Sequence, residues 1–311
     1  MPPELTDITD QISLSPDQAI GIPIALVGAV LIALGTQLQH TGVSKVGAES
    51  DTKAGLSIRQ LTALLARPTW VLGTLVLGLA ILFQLTSLTF APLTVVQPLG
   101  AVALVVTAIL NSRLSGVKLD FLSKRAIAFC VGGVALFVTI AAATAESKPI
   151  TERQLATVLV ILVVVLVILS VVFGLLRKRV TPIFYIVAAG VLFGFVASLA
   201  KVVIDRVKTL SFSGFKLGDA EWLTVLCVVG MLIAAGLGTY FVQTAYSNGP
   251  PDLVVAGLTV IDPIIAIGIG IVVLGEASEA PWWAVIAFLV AGALAVYGVL
   301  QLAKHHPQTQ H

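Results

Sequence analysis

Apolar residues in this chain do not alternate with polar ones; they run in continuous blocks. A bilayer core takes about 20 apolar residues of helix. Blocks of that length fall near residues 20–40, 68–89, 91–112, 125–145, 155–176, 182–204, 222–246, 252–275 and 281–303, about nine in all. The run ILVVVLVILSVVFGLL at 161–176 shows none of the period-two alternation that marks a β-barrel strand of about 10 residues. The pattern predicts an all-α integral membrane protein with about nine transmembrane helices.

Composition sharpens this. Of 311 residues, 58% are hydrophobic and 11% charged, where a soluble domain carries about a quarter charged. A soluble enzyme, a disordered chain and a nucleic-acid binder are excluded; the net charge of +2 is too small for an anionic partner. Cys130 and Cys227 each lie inside an apolar block, so no disulfide framework is implied. Residues 1–19 hold four acids and no base, unlike a cleavable signal, and read as a polar tail. Loop charge sets the orientation. With the N-terminus outside, twelve Lys and Arg fall in cytoplasmic segments and five in outer ones. An N-out, C-in arrangement in the plasma or inner membrane is expected.

Two internal matches point to a repeat. Leu93-Thr94-Val95-Val96-Gln97-Pro98 parallels Leu258-Thr259-Val260-Ile261-Asp262-Pro263, 165 residues later. GAVLIALGTQLQ (28–39) parallels GVLFGFVASLAK (190–201). Spans 1–4 then correspond to spans 6–9 with span 5 as linker, and an offset of five spans inverts the second copy. Many secondary transporters are built so, with the substrate near midplane. The expected boundaries are a tail at 1–19, repeats at 20–145 and 181–303, a linking helix at 146–180 and a tail at 304–311. Proline within a helix frees the carbonyl four residues back, here those of Thr94 and Thr259. In hydrocarbon such a carbonyl must face protein or a water-filled cavity, so Pro98 and Pro263 point to where a pathway runs.

Ionisable groups inside spans cost at least about 2.5–3.5 kcal/mol on insertion scales and are functional candidates. Asp262 is the one acid deep in the apolar blocks. It reads as a proton- or cation-binding carboxylate, and as the candidate metal ligand, because hard cations take oxygen ligands. The competing reading is a carboxyl neutralised by burial or paired with Lys201. Lys201, near the outer end of span 6, is a pathway residue, an outward-snorkelling cation, or the (i, i+4) partner of Asp205. Gln97, the counterpart of Asp262, would line the opposite wall. Gln37, Gln84 and Gln243 read as path-lining or interhelical groups; Gln39, His40 and Asn111 as solvated at span ends; Glu276 as a solvated boundary marker. The stripe Gly190-x3-Gly194-x3-Ser198 reads as close helix packing.

Metal-hydrolase, zinc and nucleotide-binding signatures are missing, and no loop has room for a soluble catalytic domain, so the chain is not expected to be an enzyme. The segment LTFAPLTVVQPLGAVALVVTAILNSRL (88–114) resembles the F-A-P…P-L-G-A helix of NIPA-type magnesium transporters. The stretch YSNGPPDLVVAGLTVIDPIIAIGIGIVVLGE (246–276) looks like the corresponding helix of EamA-type carriers. Both families belong to the drug/metabolite transporter superfamily, and the resemblance implies a nine- or ten-helix inverted-repeat carrier. Spans 1 and 2 lack the first-helix glutamate of the small multidrug members, which disfavours a proton-coupled exporter of that type.

The expected function is alternating-access transport of a small solute through a cavity between spans 1, 3, 6 and 8, with Asp262, Pro263, Thr259, Gln97, Pro98, Thr94 and Lys201 along the path. The alternatives are NIPA-like Mg²⁺ transport and a non-transporting scaffold. No resident cofactor is expected; Mg²⁺ or a proton enters only as transported or coupling ion. The expected partners are the bilayer, a small-molecule or ion substrate and a second copy of the chain in a homodimer, with no nucleic acid.

Overall fold

The computed structural model describes residues 15–47, 66–116, 118–176, 181–212, 221–248 and 251–304. They form α1 (Pro16–Gly47), α2 (Pro68–Phe90), α3 (Leu93–Leu99), α4 (Ala101–Ser115), α5 (Phe121–Thr144), α6 (Glu152–Leu176), α7 (Pro182–Phe212), α8 (Glu221–Asn248), α9 (Pro251–Val272) and α10 (Trp282–Lys304). With α3 and α4 counted as one interrupted span, nine stretches among the described residues are long and apolar enough to cross a bilayer. Each corresponds to one of the apolar blocks in the sequence.

Local chemistry sets the ends. Four helices (α1, α2, α7 and α9) begin on proline, whose fixed φ suits the first turn and whose missing N–H is not needed there. Asp120 caps α5 by accepting from the Ser123 N–H at 2.8 Å. Gly116, at φ +71°, ends α4 in the left-handed region that favours glycine. Two capping boxes reach further. Ser15 and Gln18 exchange bonds at the start of α1, and the Gln18 amide also donates to the Ala145 carbonyl at 3.0 Å. Thr151 and Gln154 do the same before α6, and the Gln154 amide donates to the carbonyls of Val273 and Leu274. Helix α1 begins at Pro16, so Pro16 to Ala19 of the expected tail are helical.

The packing order follows. α1 lies along α2, and α7 along α8; α1 also meets α3 and α4, and α7 meets α9. α5 packs on α10, α3 meets α9, and α6 rests on α7 and α8. Small residues permit these approaches: a Cβ on Gly298 would lie 2.3 Å from the Cys130 amide nitrogen, and one on Gly133 2.4 Å from that of Ala295. One apolar core joins α3, α5 and α10 around Val95, Val96 and Leu99, with Phe137 and Phe288 at 4.8 Å between ring centroids. A second joins α6 to α9 around Leu162, Leu192, Phe195 and Leu199. Outward, α6 exposes Val160, Val163, Val164, Val167, Ile168 and Val171, the surface that faces hydrocarbon in a bilayer.

The two prolines behave differently. Pro98 lies just before a break, where Gly100 separates α3 from α4 and its N–H turns back to the Gln97 carbonyl. Pro263 sits inside the unbroken α9.

Candidate functional site

A cavity of about 730 Å³ runs between the helices. Its walls come from α1, α2, the α3–α4 junction, α7 and α9, with Ala303 of α10 at one end. Spans 1, 3, 6 and 8 are those expected; span 2 is an addition, through Ala80, Ile81, Gln84, Leu85 and Leu88. The cavity extends from Leu88, Gln97 and Ala200 to Asn111, Val255 and Ala303, each within a few residues of its helix end on the opposite side.

Of the sequence-predicted residues, Asp262, Pro263, Thr259 and Gln97 line this cavity. Asp262 and Gln97 thus share one chamber. Asp262 reaches it because α9 presses on α7 over the small-residue stripe: a Cβ on Gly194 would stand 2.7 Å from Ile265 Cβ and 3.0 Å from the Asp262 carbonyl oxygen. Asp262 Oδ1 is buried and has no hydrogen-bond partner. A buried polar atom of this kind normally has one, and Asp262 as a residue also lines the cavity. Gln84, Asn111, Thr36 and Thr107 add polar groups; Ile32, Leu104, Phe193 and Leu258 supply apolar wall.

Thr94, Pro98 and Lys201, also expected along the path, are not among the residues that line this cavity. The side chains of Thr94 and Pro98 belong to the buried α3, and Thr94 is wholly inaccessible. Lys201 is 2% exposed and does not snorkel outward. Its ammonium donates to the carbonyls of Leu88 (2.8 Å) and Ala91 (3.3 Å) and to Ser147 Oγ (3.2 Å), and pairs with Asp205 at 3.4 Å. It thereby joins α7 to the α2–α3 corner just beyond Leu88, where the cavity ends.

Glu276 is the residue the sequence reading misplaced. It is not solvated: it is 4% exposed and sits against the first turn of α3. Its Oε1 accepts from the Leu93 N–H at 2.7 Å, and its Oε2 from the Thr94 N–H at 2.8 Å and the Thr94 hydroxyl at 2.5 Å. Pro92, at the N-cap of α3, has no side-chain group to offer, so an acid from a distant loop fills the role. Gly275, at φ +72°, turns the chain so that Glu276 points inward, and a Cβ on Gly270 would stand 2.8 Å from its Oε2. Burial pushes the Glu276 carboxyl above its ordinary range; the bonds from Thr94 and Leu93 and the Lys201 charge take back part of that. Around it, the Glu146 N–H donates to the Glu276 carbonyl at 2.8 Å, Lys148 bonds Ser278 and Glu279, and Lys208 donates to the Thr89 carbonyl. These bonds tie the spans together beyond Leu88, and none of these residues lines the cavity.

Asn111, expected to be solvated, is buried on the cavity wall. Gln39 instead bonds Thr74 Oγ1 at 2.9 Å between α1 and α2, and the His40 side chain lies outside the described residues. Among the described residues no three His, Cys, Asp or Glu side chains gather as a metal cluster, and Asp262 is the one carboxylate among the residues that line the cavity.

Nine apolar spans among the described residues enclose a largely apolar cavity with a few polar groups on its wall, and comparison with known proteins says what such a bundle resembles. Residues 16–306 match the family described as Magnesium transporter NIPA. The chain belongs to that family. NIPA proteins fall in the drug/metabolite transporter superfamily, and this chain is a multi-pass membrane transporter of that superfamily. An uncharacterized protein of Corynebacterium glutamicum is 25% identical over 286 residues, 92% of this chain and 95% of its own length. Magnesium transporter NIPA4 of Mus musculus is 28% identical and that of Homo sapiens 29%, each over 138 residues. Those two alignments span 44% of this chain and 33% of the NIPA4 proteins, so the chain matches about a third of their length. No solved structure matches the chain.

Proposed function

We propose that this NIPA-family protein carries Mg²⁺ across the membrane by alternating access, with Asp262 as the carboxylate that meets the ion. The observation behind this reading is Asp262 on the wall of a 730 Å³ cavity, with its Oδ1 buried and unpartnered. Gln97 forms part of the facing wall. Two oppositely inserted four-span units, 20–145 and 181–303, move against one another about the Pro98 break and the helix that carries Pro263. The pairing of α1 with α2 and of α7 with α8 supports that relation. In the present state the Glu276 end is closed, and entry is from the end bearing Asn111 and Ala303. With the N-terminus outside in the plasma or inner membrane, as loop charge indicates, that entrance faces the cytoplasm. No step of this cycle makes or breaks a covalent bond.

The test is flux. Purified full-length chain in liposomes, with a Mg²⁺-sensitive dye inside, should move Mg²⁺ down an imposed gradient. Asp262→Asn should cut the rate at least about tenfold while leaving expression and melting behaviour intact; a carboxylate facing a divalent ion contributes on that scale. Normal flux in Asp262→Asn would refute the assigned role. A small organic solute is the second reading, favoured by the apolar wall of Ile32, Leu104, Phe193 and Leu258. A substrate panel run alongside Mg²⁺ separates the two.

A further inference from the structure

The cavity threonines share a feature that bears on the form in which the ion is held. Thr36 donates its hydroxyl proton to the Ile32 carbonyl, Thr107 to Ala103 and Thr259 to Val255, each at 2.8 Å. A hydroxyl has one proton and two lone pairs, so each presents only acceptor capacity to the cavity. Asp262 Oδ1 is an acceptor without a donor. Three helices, α1, α4 and α9, therefore bring acceptor-bearing side chains to the wall of one cavity.

Mg²⁺ gives up its water reluctantly and usually keeps several water ligands; when bound directly it demands near-ideal octahedral contacts at about 2.0–2.1 Å. A single carboxylate on a wide chamber does not make that cage. An aqua complex has the opposite surface: its water oxygens point at the metal and its O–H groups point outward, all donors. Six waters at about 30 Å³ each occupy about 180 Å³, which the cavity holds with room to spare. We infer that the cavity binds Mg²⁺ as its intact aqua complex, gripped through water by Asp262, Thr36, Thr107 and Thr259, and not as a stripped ion. This rests on the Mg²⁺ reading above.

Hexaamminecobalt(III) tests it, because that complex presents an octahedral shell of N–H donors and does not exchange its ligands. Added to both faces of liposomes bearing the full chain, it should inhibit Mg²⁺ flux competitively. Thr259→Val and Thr107→Val remove one acceptor each with little change of shape. Each should raise both the half-inhibiting concentration of the complex and that for half-maximal Mg²⁺ flux by about tenfold, the scale of a hydrogen bond to a charged partner. Mg²⁺ flux that persists unchanged under saturating complex overturns the aqua-complex inference and leaves Mg²⁺ transport standing. Inhibition of equal strength in the wild type and both valine variants also overturns it, since the complex then acts outside the cavity. Absence of Mg²⁺ flux from the wild type removes the Mg²⁺ reading itself, and this inference with it.

Discussion

Replacing Glu276 by alanine removes a carboxylate that satisfies three donors at once: the N–H groups of Leu93 and Thr94 and the Thr94 hydroxyl. The Thr94 hydroxyl can rotate to another acceptor, so the two backbone donors set the scale. A buried donor left without a partner costs about 1–3 kcal/mol, and more where the lost partner was charged. Two such donors, less what water entering from the nearby loop recovers, give a loss of about 3–5 kcal/mol. Glu276→Gln keeps the shape and one acceptor oxygen but turns an NH₂ toward an N–H, so about half that loss is expected. The assay is denaturant unfolding of the purified chain in mixed micelles. A control pair, Thr94→Val alone and with Glu276→Ala, should show strong non-additivity, because both changes break the same bond. An alanine variant within about 0.5 kcal/mol of wild type would refute the assignment of Glu276 as the cap of α3, and additive behaviour in the pair would refute the Thr94 hydroxyl bond.

Further outcomes follow from packing and titration. Gly298→Ala places a Cβ 2.3 Å from the Cys130 amide nitrogen, a backbone atom that has no room to yield, so α5 and α10 must separate. A loss of at least about 2 kcal/mol is expected by the same unfolding assay, and an unchanged midpoint would show that the two helices are not in backbone contact. The pH profile isolates Glu276. Its folded-state carboxyl is raised from the ordinary value of 4.5, so the folded chain binds that proton more tightly than the unfolded one. The resulting stability is present below the unfolded value and is lost as pH rises through the folded one. Wild type minus Glu276→Gln should therefore show stability declining with rising pH above 4.5. Parallel profiles would contradict it.

The spans were readable because the bilayer forces a simple code: a helix that must hide every backbone group from lipid needs a long apolar run, and nothing else in the chain mimics one. Asp262 was readable for the related reason that a carboxyl deep in such a run has no cheap place to go. What the sequence hid is which face each helix turns inward. Thr94 and Pro98 share a sequence pattern with Thr259 and Pro263, yet α3 reaches the cavity through Gln97 while α9 lines it with Thr259, Asp262 and Pro263. Asn111 near a helix end looked wet until the neighbouring helices covered it. Glu276 was hidden more thoroughly, since an acid after an apolar run normally meets water. The one signal was Gly275 before it, a residue that permits the turn sending the carboxylate back into the protein. Lys201 was half legible: its spacing to Asp205 announced the ion pair, but the carbonyls of Leu88 and Ala91 come from a different helix hairpin.

The bonds from Glu276 to Leu93 and Thr94 link positions 183 and 182 residues apart. A ribosome feeding this chain into a membrane delivers the early hairpin long before the acid that completes it. Until residue 276 arrives, two amide protons at the mouth of the third span have to be shared with water or lipid headgroups. The amino-terminal portion is thus born unfinished, and a fragment halted after the fourth span should be cleared by quality-control proteases unless the remainder is supplied separately to dock against it.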